Sequence, residues 1–194
     1  MGRIIISENI TIDGVIEVSA GADGSGHGGW FARTADRDRT AWAKVGIEEA
    51  LGARALLMGR RTHAWFVERG WVSRGDEWAE RLRELPKHVV SSTALDAAGW
   101  RNSTALRGDV VRGVAELRAD VPGDVIVYGS GRLVRTLLEH DLVDELRLMT
   151  FPFVVGAGER LFGAVSAMKP MRLVDSRAVG DGLASLVYRP DRDA

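Results

Sequence analysis

One stretch of the chain, Asp124–Phe162, constrains the fold more than any other. It begins with the β-branched run DVIVY, which predicts a short buried strand. GSG follows as a turn, and RLVRTLLEHDL has the spacing of apolar residues that is typical of an amphipathic helix. A second strand, LVDELRLMTFPFVV, ends in the loop GAGERLF. Free amides at a helix N-terminus bind anions, so we predict a nucleotide-cofactor site over Gly129–Gly131.

A second strand–turn–helix junction occurs in ARALLMGRRTHAWF. ALLM predicts a buried strand, Gly59 the turn, and Arg60–Thr62 the start of a helix. Two cations and a hydroxyl at a helix start suit a phosphate monoester, although adjacent arginines are more often solvated surface residues. The short strand His88–Val90 ends in Ser91-Ser92-Thr93, whose hydroxyls cap a helix or donate to a phosphate.

Residues 35–52 predict a helix that carries two candidate proton donors. Asp38, Trp42, Val45 and Glu49 share one side of it. A carboxyl group on a pocket-facing side would have a raised pKa and could donate a proton. The alternative is that both carboxylates are solvated or paired with neighbouring cations, as most carboxylates are.

The segment SAGADGSGHGGWF contains five glycines between Gly21 and Gly29. It is either a surface connection or a lid over a pocket, with Trp30 and Phe31 as its apolar anchor.

Strands alternate with helices through the first two thirds of the chain, which predicts an α/β fold with a mostly parallel sheet. The strands MRLVDSRAV and LASLVYR, joined by Gly180-Asp181-Gly182, add an antiparallel hairpin at the end. No repeat or linker divides the chain, so we expect a single domain over residues 1–194. In such a fold the motifs Gly59–Thr62, Ser91–Thr93 and Gly129–Arg132 lie at the carboxyl ends of strands, where these sheets bind ligands.

Composition narrows the possible partners. The net charge of −1 favours neither nucleic acid nor an anionic membrane, and no stretch is long enough to span a bilayer. The chain has no cysteine and therefore no thiolate metal site. We expect no metal, a cytoplasmic location and a small-molecule substrate.

The chain resembles the dihydrofolate reductase-like superfamily, and within it the C-terminal reductase domain of the riboflavin-biosynthesis deaminase-reductases and its stand-alone relatives. The resemblance extends from about Arg3 to Tyr188. It rests on ITIDGVI, LLMGRRTHAWF, HVVSS and the long motif that starts at VYGSGRLV. It implies a three-layer fold with a central mostly parallel mixed sheet flanked by helices, an NADPH cofactor and a homodimer.

The resemblance also assigns residues to the cofactor. Gly59, Arg60, Arg61 and Thr62 match the phosphate-binding segment, and Ser91 and Ser92 match a pair near the adenosine 2′-phosphate. Gly129, Ser130, Gly131, Arg132 and Leu133 match the turn against the pyrophosphate and nicotinamide, and Asp13 matches the early turn beside the nicotinamide.

One position departs from the family pattern. The riboflavin-pathway reductases carry Glu-Gly-Gly where this chain has Tyr128-Gly129-Ser130. We therefore predict an NADPH-dependent reductase acting on a C=N or C=O bond of a pterin- or pyrimidine-like heterocycle or a carbonyl compound. Reduction of 5-amino-6-(5-phosphoribosylamino)uracil and non-catalytic NADP binding are the alternatives. The proton would come from Tyr128, Asp38, Glu49 or an ordered water.

Overall fold

The computed structural model of the chain describes residues 1–16, 29–95, 99–163 and 167–192. The strands are β1 Arg3–Thr11, β2 Ala53–Gly59, β3 Lys87–Val90, β4 Ser103–Leu106, β5 Asp124–Tyr128, β6 Glu145–Phe151, β7 Met171–Val179 and β8 Leu183–Pro190. The α-helices are α1 Asp36–Gly52, α2 Arg60–Glu68, α3 Glu77–Glu84, α4 Val110–Asp120 and α5 Gly131–Glu139. Short 3-10 helices cover Trp30–Arg33 and Trp71–Ser73. Within the described residues, none of the helices has the length and apolar character needed to cross a bilayer.

The strands form one sheet in the order β4-β3-β2-β5-β1-β6-β8-β7. Strands β1 to β6 pair in parallel, whereas β8 runs antiparallel between β6 and β7. The predicted α/β class, with its mostly parallel sheet and C-terminal hairpin, is confirmed.

Apolar side chains cover both faces of the sheet, which makes the fold three-layered. Ile4 and Ile6 of β1 pack with α4 and α5, while Ile5 between them packs with α1, α2 and α3. This follows from the two-residue period of a strand, which sends neighbouring side chains to opposite faces.

Two strand predictions differ from the structure. Residues 103–106, for which the sequence patterns predict no strand, form β4, a four-residue edge strand paired with β3. Strand β6 ends at Phe151 rather than at Val155, because Pro152 has no amide hydrogen to continue the ladder.

The sheet order positions the two predicted junctions. Strand β2 pairs with β5, and Leu57 lies opposite Val127. The β2–α2 and β5–α5 turns therefore leave the same edge of the sheet side by side.

Candidate active site

A cleft of about 1480 Å³ opens at the carboxyl ends of β1, β2 and β5 and extends over β6 and β8. It has two parts, which differ in chemistry. The junction region consists of the turns Gly59–Thr62 and Gly129–Leu133. The aromatic region consists of Trp42, Trp78 and Tyr128 with the charged residues Glu49 and Arg147. All of these residues line the cleft.

Ser130 ties the two turns of the junction region together. Its Oγ accepts a hydrogen bond of 2.8 Å from the Gly59 amide and lies 2.7 Å from the Thr62 hydroxyl. The backbone of Ser130 has φ +70°, a conformation that residues with a side chain rarely adopt. The serine that replaces the expected glycine therefore uses its hydroxyl to join two parts of the chain about 70 residues apart.

Close packing explains the glycines on either side of this tie. A Cβ on Gly59 would lie 2.3 Å from Ser130 Oγ. Gly129 has φ +66°, and a Cβ there would lie 3.0 Å from the Thr62 side chain. Both turns consequently require glycine to approach each other.

The junction region presents cations and free amides. Arg60, Arg61 and Arg132 are exposed, and none of them pairs with a carboxylate among the described residues. Helix α5 begins at Gly131, so the amides of its first turn have no acceptor within the helix. Leu133 is buried against the sheet. The region can bind a phosphorylated ligand through guanidinium and amide donors together.

Three other predicted cofactor residues lie outside the cleft lining. Ser91 is buried, and its hydroxyl donates to the Thr93 carbonyl at 2.8 Å, whereas Ser92 is exposed. The Asp13 carboxylate accepts hydrogen bonds from Thr11 Oγ1 at 2.6 Å and from the Gly156 amide at 2.8 Å. These hydrogen bonds lower the pKa of Asp13 to about 2. Asp13 thus fastens the end of β1 to the loop after β6.

The aromatic region has buried hydrogen-bond donors. The Tyr128 hydroxyl and the Trp78 indole Nε1 are both buried and make no hydrogen bond of normal geometry among the described residues. They lie close enough to interact electrostatically with each other, and the Tyr128 hydroxyl also interacts with the Glu49 carboxylate. Their rings meet edge to face, with centroids 5.9 Å apart. Trp42 completes the region, and its indole donates to Asn9 Oδ1 at 3.0 Å. Because leaving a buried donor unpaired costs free energy, these two groups point to a ligand.

Charged side chains beneath these rings are paired with one another. Arg147 contacts Glu49 at 3.1 Å and Glu145 at 2.7 Å, and Glu145 also contacts Arg189 at 2.9 Å. Burial alone would raise the pKa of Glu145, but hydrogen bonds and charge from the two arginines hold that pKa below its ordinary value. Glu49 therefore lies in the cleft as part of an ion-pair network.

Tyr128 remains protonated in this environment. Burial raises the pKa of its hydroxyl well above the ordinary value, and the neighbouring Glu49 carboxylate raises it further. The hydroxyl is available as a hydrogen-bond donor over the whole physiological pH range.

Asp38, the other carboxylate predicted on α1, faces elsewhere. Its Oδ1 accepts from the Asp181 amide at 2.7 Å and from the Gly182 amide at 3.3 Å. The side chain is buried against the turn between β7 and β8 and is absent from the cleft lining. Asp38 therefore stabilises the turn between β7 and β8.

The possible lid lies mostly outside the described residues, because residues 17–28 are not among them. Trp30 and Phe31, its expected anchor, do line the cleft. Trp30 is buried with its ring 4.9 Å from Phe151, and the Phe31 ring lies 4.8 Å from Trp42.

Sequence reasoning missed Glu8, which lines the cleft from the central strand β1. Burial raises its pKa to about 8 despite the opposing Gly129 amide, and the charge of Glu159 adds to the rise. A signal was present in the sequence: Glu8 occupies the same face of the strand as Ile4, Ile6 and Ile10. The described residues contain no group of three or more His, Cys, Asp or Glu placed to hold a metal ion.

Comparison with known proteins identifies the family. A family model described as the RibD C-terminal domain matches residues 3–185. The chain belongs to the RibD C-terminal domain family. Membership supports an oxidoreductase and confirms the resemblance found in the sequence motifs.

Individual relatives agree with this assignment. The uncharacterized protein YyaP of Bacillus subtilis strain 168 is 26% identical, over 96% of this chain and 94% of YyaP. A crystal structure of a candidate riboflavin biosynthesis protein from Shewanella sp. PV-4 covers 99% of this chain and 100% of its own, with a TM-score of 0.76 and 22% identity. Dihydrofolate reductase from Enterococcus faecalis, complexed with NADP(H) and RAB-propyl, covers 97% of this chain and 96% of its own, with a TM-score of 0.62 and 13% identity. These two structures show the dihydrofolate reductase-like fold.

Proposed function

We propose that this RibD C-terminal family member is an NADPH-dependent reductase. It transfers a hydride to a C=N or C=O bond of a small pterin- or pyrimidine-like heterocycle or of a carbonyl compound. One observation carries the proposal: the junction region, with its unpaired arginines, continues within a single cleft into the aromatic region, with its unpaired donors. A site that binds a phosphorylated cofactor beside a planar substrate needs both parts.

The junction region fits the cofactor. The first-turn amides of α5 and the glycine backbone suit a diphosphate, since no side chain keeps the ligand away. Arg60 and Arg61 supply the forked donors that a 2′-phosphate requires, whereas Ser91 and Ser92 follow the neighbouring strand β3 outside the cleft lining. When bound, the reduced nicotinamide supplies the hydride.

The aromatic region would orient the planar substrate and donate hydrogen bonds to it. Trp42, Trp78 and Tyr128 offer flat apolar surfaces to a planar ring. Tyr128 donates a hydrogen bond to the substrate atom that gains negative charge during hydride transfer. It keeps its own proton, because a phenolate beside Glu49 would place two negative charges together in a buried site. The proton that completes the reduction therefore comes from water.

The riboflavin-pathway pyrimidine is a second candidate substrate. The likeness to the Shewanella protein favours it, whereas Tyr128 in place of the family's glutamate disfavours it. Non-catalytic NADP binding is the remaining alternative, although it does not explain the buried Tyr128 and Trp78 donors. Homodimerisation stays a prediction.

The decisive test is a pair of binding titrations with NADPH and NADH. We expect NADPH to bind at least tenfold more tightly, because only NADPH carries the 2′-phosphate. Equal affinities would contradict the assignment of the phosphate site. Substrates are then sought by following NADPH oxidation with pterin, pyrimidine and carbonyl compounds. If NADPH binds but none of these classes of substrate supports its oxidation, the result favours non-catalytic NADP binding.

A further inference from the structure

Glu8 is a partly buried acid that lies at the boundary between the two parts of the cleft. It shares its strand face with Ile6 and Ile10, and Leu148 of β6 lies beside it in register. Its Oε1 is buried and has no hydrogen-bond partner among the described residues. A carboxyl group in such surroundings is uncharged or needs a ligand.

Few charges face Glu8 from the elements packed around it. The Gly129 amide and the Glu159 carboxylate act on it directly. Glu159 is paired with Arg135 of α5 at 3.0 Å, and Arg132 at the start of α5 is exposed. No described cation pairs with Glu8, so burial dominates and keeps its carboxyl protonated at neutral pH.

We propose that Glu8 is a cofactor-binding residue whose neutral carboxyl donates a hydrogen bond to the carboxamide of the nicotinamide. This inference rests on the proposed NADPH site. A diphosphate held at the N-terminus of α5 would place the nicotinamide ring toward the aromatic region. Glu8 lines the cleft next to both places, because the preceding Ser7 lies opposite Tyr128 in register and the Gly129 amide faces the Glu8 carboxyl. A protonated carboxyl has one donor and one acceptor, which match the carbonyl and the amino group of a carboxamide.

The protonation state matters for affinity. Below the pKa of Glu8 the carboxyl donates to the carboxamide carbonyl, whereas above it this donor is lost and a negative charge lies near the diphosphate. NADPH binding should therefore weaken as the pH rises through about 8.

The experiment compares the wild-type protein with Glu8→Gln, which keeps an N–H donor at every pH. Affinities for NADPH and for 2′,5′-ADP, which lacks the nicotinamide, are measured by calorimetry from pH 6.5 to 9.5. We expect wild-type affinity for NADPH to fall about five- to tenfold across this range, the contribution of roughly one hydrogen bond. Glu8→Gln should change less than about twofold, and 2′,5′-ADP should show no difference between the proteins. Glu116→Gln, an exposed acid on α4, is the matched control.

The outcomes separate the two proposals. If NADPH binds but the pH profiles of wild type and Glu8→Gln coincide, the role of Glu8 is overturned while the NADPH site stands. If NADPH does not bind to the wild-type protein at all, both proposals fall.

Thermal unfolding without ligand gives an independent check. Because burial raises the pKa of Glu8, the unfolded chain releases this proton at lower pH than the folded protein, and the folded state loses stability between about pH 4.5 and 8. Glu8→Gln should unfold at a higher temperature than wild type at pH 8 and show a smaller gain at pH 4.5. Equal gains at both values would mean that Glu8 is ionised in the fold and would overturn the inference.

Discussion

The junction region and the aromatic region share one cleft, but they differ in whether their arginines are paired with carboxylates. Arg60, Arg61 and Arg132 have no carboxylate partner among the described residues, whereas Arg147 and Arg189 are paired with buried acids. Unpaired cations at a helix start are ready for an anionic ligand. Paired cations instead fix the position of Glu49 and leave little net charge, which suits a neutral substrate.

The largest expected effect comes from breaking the paired network. Glu145→Gln leaves Arg147 and Arg189 without their shared carboxylate, and we expect it to lower the free energy of unfolding by about 2–3 kcal/mol. This is less than the roughly 3–5 kcal/mol expected for a fully buried pair, because both arginines are partly exposed. Urea unfolding measures the change. Glu116→Gln, which removes an exposed pair with Arg112, should cost less than about 0.5 kcal/mol.

The same pair of proteins gives a pH test. The folded-state pKa of Glu145 lies below its ordinary value of 4.5, so its contribution is complete above that value and is lost as the pH falls through the folded pKa. The difference in stability between wild type and Glu145→Gln should shrink in acid. A constant difference down to pH 2 would show that the pairs contribute little.

The unpaired arginines should matter for binding rather than for stability. Replacing Arg60 and Arg61 by alanine removes two charged donors, and we expect NADPH affinity to fall about 30- to 100-fold. NADH affinity and the unfolding midpoint should change little. Arg112→Ala on α4 is the control for a general loss of positive charge. An equal loss of NADH affinity would place these arginines away from the 2′-phosphate.

Two substitutions at Ser130 distinguish the contribution of its hydrogen bonds between the turns from the cost of its backbone strain. Ser130→Ala loses both hydrogen bonds and keeps the unfavourable positive φ, so it should destabilise the fold by about 1–2 kcal/mol. Ser130→Gly loses the same bonds but relieves the strain and should cost roughly 1 kcal/mol less. If the glycine variant is the less stable one in urea unfolding, strain at Ser130 is not significant.

The smallest effect on stability is expected at Tyr128. Tyr128→Phe removes a buried hydroxyl that makes no hydrogen bond of normal geometry and only a weaker interaction with Glu49, so stability should change by less than about 1 kcal/mol. Turnover with an identified substrate should nevertheless fall at least tenfold, because the hydrogen bond to that substrate is lost. Tyr188→Phe, at the chain's other tyrosine and outside the cleft lining, is the matched control. Unchanged turnover in Tyr128→Phe would remove the tyrosine from the mechanism.

The sequence alone predicted the features that depend on residues close together along the chain. The β-branched runs, the glycine turns and the amphipathic helix after Gly129 are local patterns, and they predicted the strands, the two junctions and the parallel sheet. The four-residue strand β4 escaped detection because it is stabilised by pairing with β3 rather than by its own composition.

Only the tertiary structure decided which polar groups face the cleft. Asp38 and Glu49 share a side of α1 in the sequence pattern, yet Asp38 binds the turn after β7 and Glu49 meets Arg147, 98 residues away. Burial, charge pairing and close approach depend on residues that are distant along the chain. For that reason the buried oxygen of Glu8, the surroundings of the Tyr128 hydroxyl and the hydrogen bonds of Ser130 could not be deduced from local patterns. The positions of the strands and turns could.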